Sequence, residues 1–184
     1  MKYSNLITKK DFFSKLSRIL KGAHFECIYD LKISSEISTT LLYNTMDLWL
    51  NKGQFDALID LVDPQDKIYI VHNDSDKVYE VCLPVSYEEY KSLNLFSMTF
   101  LSSSNFDWVV ILDEGLESGM GVIAGNDEFI ANFHSRYGKS LIDLQSLISF
   151  HYHDLDRNPS SLKNLIKVLS LLHIKEKGES ALIS

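Results

Sequence analysis

Residues that staple, break or loosen a chain are scarce in this one. Its 184 positions hold two cysteines, three prolines and eight glycines. Cys27 and Cys82 are too few for a disulfide scaffold and too far apart for a Cys-x-x-Cys metal or redox motif. Each falls in a segment that reads as a strand, so a buried thiol acting as a small hydrophobe is expected at both. So little proline and glycine excludes long linkers and low-complexity tracts. No apolar run reaches the roughly 18 residues of a membrane span. The longest, near residues 162–174, is interrupted by Lys163 and Lys167. The first ten residues lack the apolar stretch of a signal peptide, so a cytoplasmic protein is expected. With 45% hydrophobic residues the chain can bury about 70% of its unfolded surface as one domain spanning 1–184.

Charge is unevenly placed. Residues 1–22 carry +5, residues 23–156 carry −15 and residues 157–184 carry +3, for a total of −7. An acidic middle repels phosphate backbones and attracts basic proteins. Direct nucleic-acid binding is therefore not expected, and the basic ends read as solvated helix faces.

Hydrophobic spacing supplies the elements. Thr8-x-x-Asp11 has the form of a capping box, and Phe12, Phe13, Leu16, Ile19 and Leu20 follow at helical spacing up to a stop at Gly22. Residues 23–30 alternate as a strand. Leu41, Leu42, Met46, Leu48 and Leu50 suggest a helix over 38–50 ended by Gly53, with a second short helix over 54–61. Residues 67–72 and 77–83 flank a polar Asn73-Asp74-Ser75-Asp76 turn and read as a hairpin. A short helix is expected over 86–93 and strands over 95–101, 107–113 and 120–124. Trp108-Val109-Val110-Ile111-Leu112 is apolar throughout, as a strand buried on both faces would be. Asn126 opens a helix carrying Phe129, Ile130 and Phe133, and further helices are expected from Ser140 and from Ser160 or Ser161. The order predicts an α+β fold: a mainly antiparallel sheet of five to six strands covered by helices.

Chemical motifs are sparse. Gly119, Gly121 and Gly125 bracket a strand, and the next helix opens on Asp127 and Glu128, which would repel phosphate; a tight hairpin with a bulge is expected instead. His151-Tyr152-His153-Asp154 offers metal-ligand side chains, but imidazoles at i and i+2 diverge by about 200° on a helix. They are read as a helix C-terminus favouring imidazolium, with no metal and no cofactor. No Gly-x-Ser-x-Gly occurs, and the Ser-x-x-Lys of Ser160-Ser161-Leu162-Lys163 is what a capped helix start gives, so no enzyme is expected.

Two features fit binding. Asp113, Glu114 and Glu117 gather three carboxylates in the turn after the buried strand, a docking surface for a basic partner. Tyr87 and Tyr90 stand one helical turn apart around Glu88 and Glu89, and form either an acidic-aromatic patch or two inward rings with solvated acids between them.

Phe106-Asp107-Trp108-Val109-Val110-Ile111-Leu112-Asp113-Glu114, then Gly119-Met120-Gly121-Val122-Ile123-Ala124-Gly125, then a helix with Phe129 and Phe133, together resemble the immunity proteins of bacterial polymorphic and contact-dependent toxin systems. The resemblance implies a protein that binds a cognate toxin, often a nuclease with a basic cleft, and blocks it by occlusion without a cofactor. The basic first helix departs from that pattern. Two other readings are a small metal-dependent hydrolase using His151 and His153, and an accessory protein that assembles with itself.

Overall fold

The computed structural model describes residues 2–3, 7–21, 32–43, 45–46, 48–113 and 120–137. Its centre is an antiparallel sheet of β1 (Lys2–Tyr3), β4 (Ser38–Tyr43), β5 (Lys67–His72), β6 (Val78–Cys82), β7 (Thr99–Ser103), β8 (Trp108–Leu112) and β9 (Met120–Gly125). The spatial order is β1-β6-β5-β7-β8-β9-β4, with β8 near the middle. The expected α+β class is correct: six full strands are extended at one edge by the two-residue β1.

Strand alternation divides the core in two. Tyr69, Val71, Phe100, Val109, Ile111, Val122 and Ala124 face one side and meet Phe12 and Leu16 of α1 (Lys9–Lys15) and the 3-10 turn after it. Leu20 of β2 (Leu20–Lys21) and Ile33 of β3 (Lys32–Ile33), a separate two-stranded ribbon, complete that layer. Ile68, Ile70, Val81, Leu101, Trp108, Val110, Leu112 and Ile123 face the other side. They are covered by α2 (Lys52–Ile59), α3 (Tyr87–Lys91) and α4 (Asp127–Tyr137), which contribute Phe55, Leu58, Tyr90, Ile130 and Phe133. A layer on each face explains why β8 is apolar at every position.

Local signals set the helix starts. Thr8 and Asp11 form the expected reciprocal capping box, and Asn51 with Gln54 and Ser86 with Glu89 form two more. Phe129 N–H donates to Asn126 Oδ1 at 2.7 Å to open α4.

Five expectations are corrected. Residues 38–50 are not a helix: Ser38–Tyr43 is an edge strand paired with β9, followed by a loop. Leu41 and Leu42 enter opposite core layers, which a strand achieves and a helix does not. Gly53 terminates nothing; it lies in the first turn of α2, where a Cβ would stand 3.1 Å from the Tyr137 ring. The first helix stops at Lys15 rather than Gly22, because Ile19 N–H bonds the Leu16 carbonyl in a 3-10 turn that turns the chain into β2. Cys82 is in a strand but exposed, opposite Lys67. The strand expected over 95–101 begins at Thr99. The strand over 23–30 with Cys27, and all elements after residue 137, lie outside the described residues.

Candidate functional site at one end of the sheet

The registers align His72, Thr99, Leu112, Gly121 and Leu42 in one row across β5, β7, β8, β9 and β4. Directly opposed residues point to the same face, here the side of α2, α3 and α4. From His72 to Gly121 the row spans three interstrand steps, about 14 Å. Beyond it lie the 73–77 turn, the approach to β7, Asp113 and the loop after β4.

Unsatisfied polar atoms and exposed apolar side chains collect at this end. His72 is 5% exposed, and its Nδ1 has no hydrogen-bond partner among the described residues. Burial holds the imidazole below its ordinary pKa; the charge of Asp74 opposes that shift and Lys9 adds to it. Tyr79 stacks on the imidazole at 6.3 Å and 28°, and Phe96 meets it at 6.0 Å and 69°. In the loop after β4, Thr45 Oγ1 and Trp49 Nε1 are also buried and have no hydrogen-bond partner among the described residues. Among the described residues only Phe96 (61%) and Met46 (49%) are large hydrophobics that stand exposed, and both border this end.

Carboxylates here differ from those at the opposite end. There, Asp66 accepts from Ser104 and Asn105, Asp107 from Ser103, and Asp127 from Ser38. Asp74 and Asp76 are exposed, and neither carboxylate takes a hydrogen bond or ion pair among the described residues. Asp113, half-buried, follows β8 directly.

The predicted site residues therefore separate. Asp113 stands at this end, while Glu114 and Glu117 lie outside the described residues. Of the patch on α3, Tyr90 is 1% exposed and has no surface to offer a partner. Its hydroxyl oxygen accepts the Leu50 N–H at 3.0 Å, and the Tyr87 hydroxyl donates to the Leu50 carbonyl at 3.0 Å. The two phenols thus clamp the backbone on both sides of Leu50, at two consecutive peptide groups, and Phe55 stacks on Tyr90 at 4.7 Å. Glu89 is tied to Ser86 in the capping box, which leaves Glu88 as the exposed acid of α3 whose carboxylate takes no bond among the described residues. Positions 87 and 90 share the helix side that faces the sheet; positions 88 and 89 face away.

The sequence assigned none of His72, Phe96, Met46, Thr45, Trp49, Asp74 and Asp76 to a site. The Asn73–Asp76 turn was visible as a turn, but its nearness to Phe96 comes from a contact between two loops. The glycines of β9 are packing positions: a Cβ on Gly121 would sit 2.9 Å from the Ile111 carbonyl oxygen, and one on Gly125 2.8 Å from the Phe129 ring. Among the described residues no three His, Cys, Asp or Glu side chains could hold a metal ion. His151 and His153 lie outside them. No helix of the described residues is long and apolar enough to cross a membrane.

The two layers carry opposite charge. Residues 7–21 and 32–37 hold six cations and two acids, and the Lys21–Lys32 pair sits directly across β2 and β3. Residues 48–65, 83–97 and 126–137 hold three cations and seven acids. No family model, curated protein or solved structure matches the chain.

Proposed function

We propose that this chain is a protein-binding domain that neutralises a basic toxin in the bacterial cytoplasm, as the immunity proteins it resembles do. In this reading it docks through the end of the sheet bounded by Asp74, Asp76 and Asp113. One observation carries the proposal: Phe96 and Met46, the two exposed large hydrophobics among the described residues, border the end where the exposed carboxylates of Asp74 and Asp76 lie. Interface energy concentrates in a few apolar anchors, and surrounding charges steer encounter and fix register. An acidic rim around Phe96 and Met46 has that layout and selects a basic partner.

The test is complex formation with the protein encoded by a neighbouring gene, which this reading expects to be a toxin. Association should slow as salt rises. Asp74→Lys with Asp76→Lys, and separately Asp113→Lys with Glu114→Lys and Glu117→Lys, should lower the association rate and weaken protection of toxin-expressing cells. Phe96→Ala should speed dissociation by about tenfold or more, as loss of an anchor costing over 1.4 kcal/mol does. Binding and protection equal to the parent in all three variants would refute this docking end, and salt-dependent self-association without any toxin complex would favour self-assembly.

A further inference from the structure

We propose that His72 is a pH-sensitive latch on this end of the sheet: neutral, it holds Phe96 in place; charged, it swings out toward Asp74 and releases that ring. The latch rests on the docking end above and regulates it, because Phe96 is an anchor there. Burial, ring contacts and neighbouring charge each support it.

Burial ties charging to movement. His72 closes β5, is 5% exposed, and its Nδ1 has no hydrogen-bond partner among the described residues. In a neutral imidazole one nitrogen is an acceptor, whereas in the charged ring both are donors. The charged form would bury an N–H without an acceptor and a charge without a partner, and both are costly. Nδ1 is also closed to solvent, so the charged ring satisfies it only by moving outward. Charging and opening are one event.

Ring contacts make Phe96 the part that is released. The imidazole meets Tyr79 at 6.3 Å and 28° and Phe96 at 6.0 Å and 69°. Tyr79 is fixed within β6 opposite Ile70, and its hydroxyl donates to the Asn94 carbonyl at 3.4 Å. Phe96 lies before β7, is 61% exposed, and meets no other ring among the described residues. Loss of the imidazole therefore leaves Tyr79 held and Phe96 without its ring contact.

Charge sets the direction. Burial holds the imidazole below its ordinary pKa; Asp74 opposes that and Lys9, which donates to the Asn73 carbonyl, adds to it. Asp74 is exposed two residues along the chain, and its carboxylate takes no bond among the described residues. It is the acceptor for an imidazolium that swings outward. Asp76 and Lys77 lie farther along the turn, and Asp113 lies two strands away. On α3, Lys91 is set over Trp49 at 4.3 Å, and Glu88 and Glu89 face away from the sheet. Thr99, directly opposite on β7, carries no charge. The closed site thus favours the neutral ring. The latch is shut above the ordinary histidine value of about 6.5 and opens as pH falls through the lower value of the closed site.

The experiment is an NMR titration of the full chain between about pH 8 and pH 5, following the His72 imidazole and the Phe96 ring. The Phe96 resonances should move with the His72 midpoint, and that midpoint should lie below about 6.5. Asp74→Asn should lower the midpoint and Lys9→Met raise it, each by about 0.2–0.5 in pH, as an exposed charge pair does. His72→Gln should abolish the Phe96 transition. The Asp74 and Lys9 variants leave the core untouched, so they test the latch even where His72→Gln does not fold. A Phe96 ring that stays in place while His72 titrates, a transition that survives in His72→Gln, or a midpoint indifferent to both charge changes overturns the proposal. With a protein partner bound at this end, affinity should fall about tenfold across the transition in the parent and not in His72→Gln, as when the Phe96 anchor is lost. If Phe96 follows His72 while no protein engages this end, the latch stands and the docking reading falls. If Phe96→Ala weakens the complex while the ring ignores His72, the latch falls and the docking end stands.

Discussion

Replacing Tyr90 by Phe removes one oxygen and tests what the α3 tyrosines are for. Leu50 is fully buried, and its N–H has the Tyr90 hydroxyl as acceptor at 3.0 Å. The ring would stay, still stacked on Phe55 at 4.7 Å and 16°. The loss is therefore that of leaving a buried donor unsatisfied, about 1–3 kcal/mol. Tyr87→Phe removes a donor to the Leu50 carbonyl from a half-buried position, where water can substitute in part, and should cost about 0.5–1.5 kcal/mol. For a domain of this size 1 kcal/mol moves Tm by roughly 2–4 °C. Tyr90→Phe should thus lower Tm by about 2–12 °C and Tyr87→Phe by about half as much or less. Both hydroxyls hold the backbone of the same residue, Leu50, so the double variant should depart from additivity by about 0.5 kcal/mol or more. Thermal melts and urea midpoints at unchanged m-value measure all three. Parent-like stability of Tyr90→Phe, or a larger loss from Tyr87→Phe, would refute the clamp and return these rings to the surface role.

Gly121→Ala should destabilise by about 1–3 kcal/mol in a urea melt, because its Cβ would sit 2.9 Å from the Ile111 carbonyl oxygen and 2.6 Å from Leu112 Cδ2. Lys21→Glu replaces a like-charged cross-strand pair with an opposite one and should raise stability by a few tenths to about 1 kcal/mol, a gain that shrinks in high salt. The bonds from Thr8 to Asp11 and from Ser86 to Glu89 hold both carboxylates below their ordinary pKa. Their contribution is complete above the unfolded value and is lost as pH falls through the lower folded value, so Asp11→Asn and Glu89→Gln should flatten the fall of Tm between roughly pH 5 and pH 3. His72, held neutral by burial, likewise stabilises above its unfolded pKa, and the parent should lose Tm on acidification from about pH 7.5 to 5.5 more steeply than His72→Gln.

How legible each part was follows from the range of the forces involved. Helix starts depend on a side chain and an N–H three residues away, and Thr8, Ser86 and Asn126 were all readable. Burial of β8 on both faces was readable from five consecutive apolar residues. The edge strand at Ser38–Tyr43 was not, because Leu41, Leu42, Met46, Leu48 and Leu50 also suit a helix and only pairing with β9 decides between them. Asp113 was placed correctly after the central strand. Tyr87 and Tyr90 were recognised as neighbours, but which way they face depends on the 45–50 loop, nearly forty residues earlier in the chain.

By itself, then, the sequence determined the α+β class, the central apolar strand, the caps and the segregation of charge, all of which follow from local spacing and composition. Only the tertiary structure decided that His72, Phe96 and Asp74 meet at one end, that Tyr90 is buried, and that the carboxylates of the other end are spent on serines and asparagine. Those outcomes depend on which strands lie side by side. The registers that set them are chosen by packing two core layers at once, a constraint no short window of residues contains.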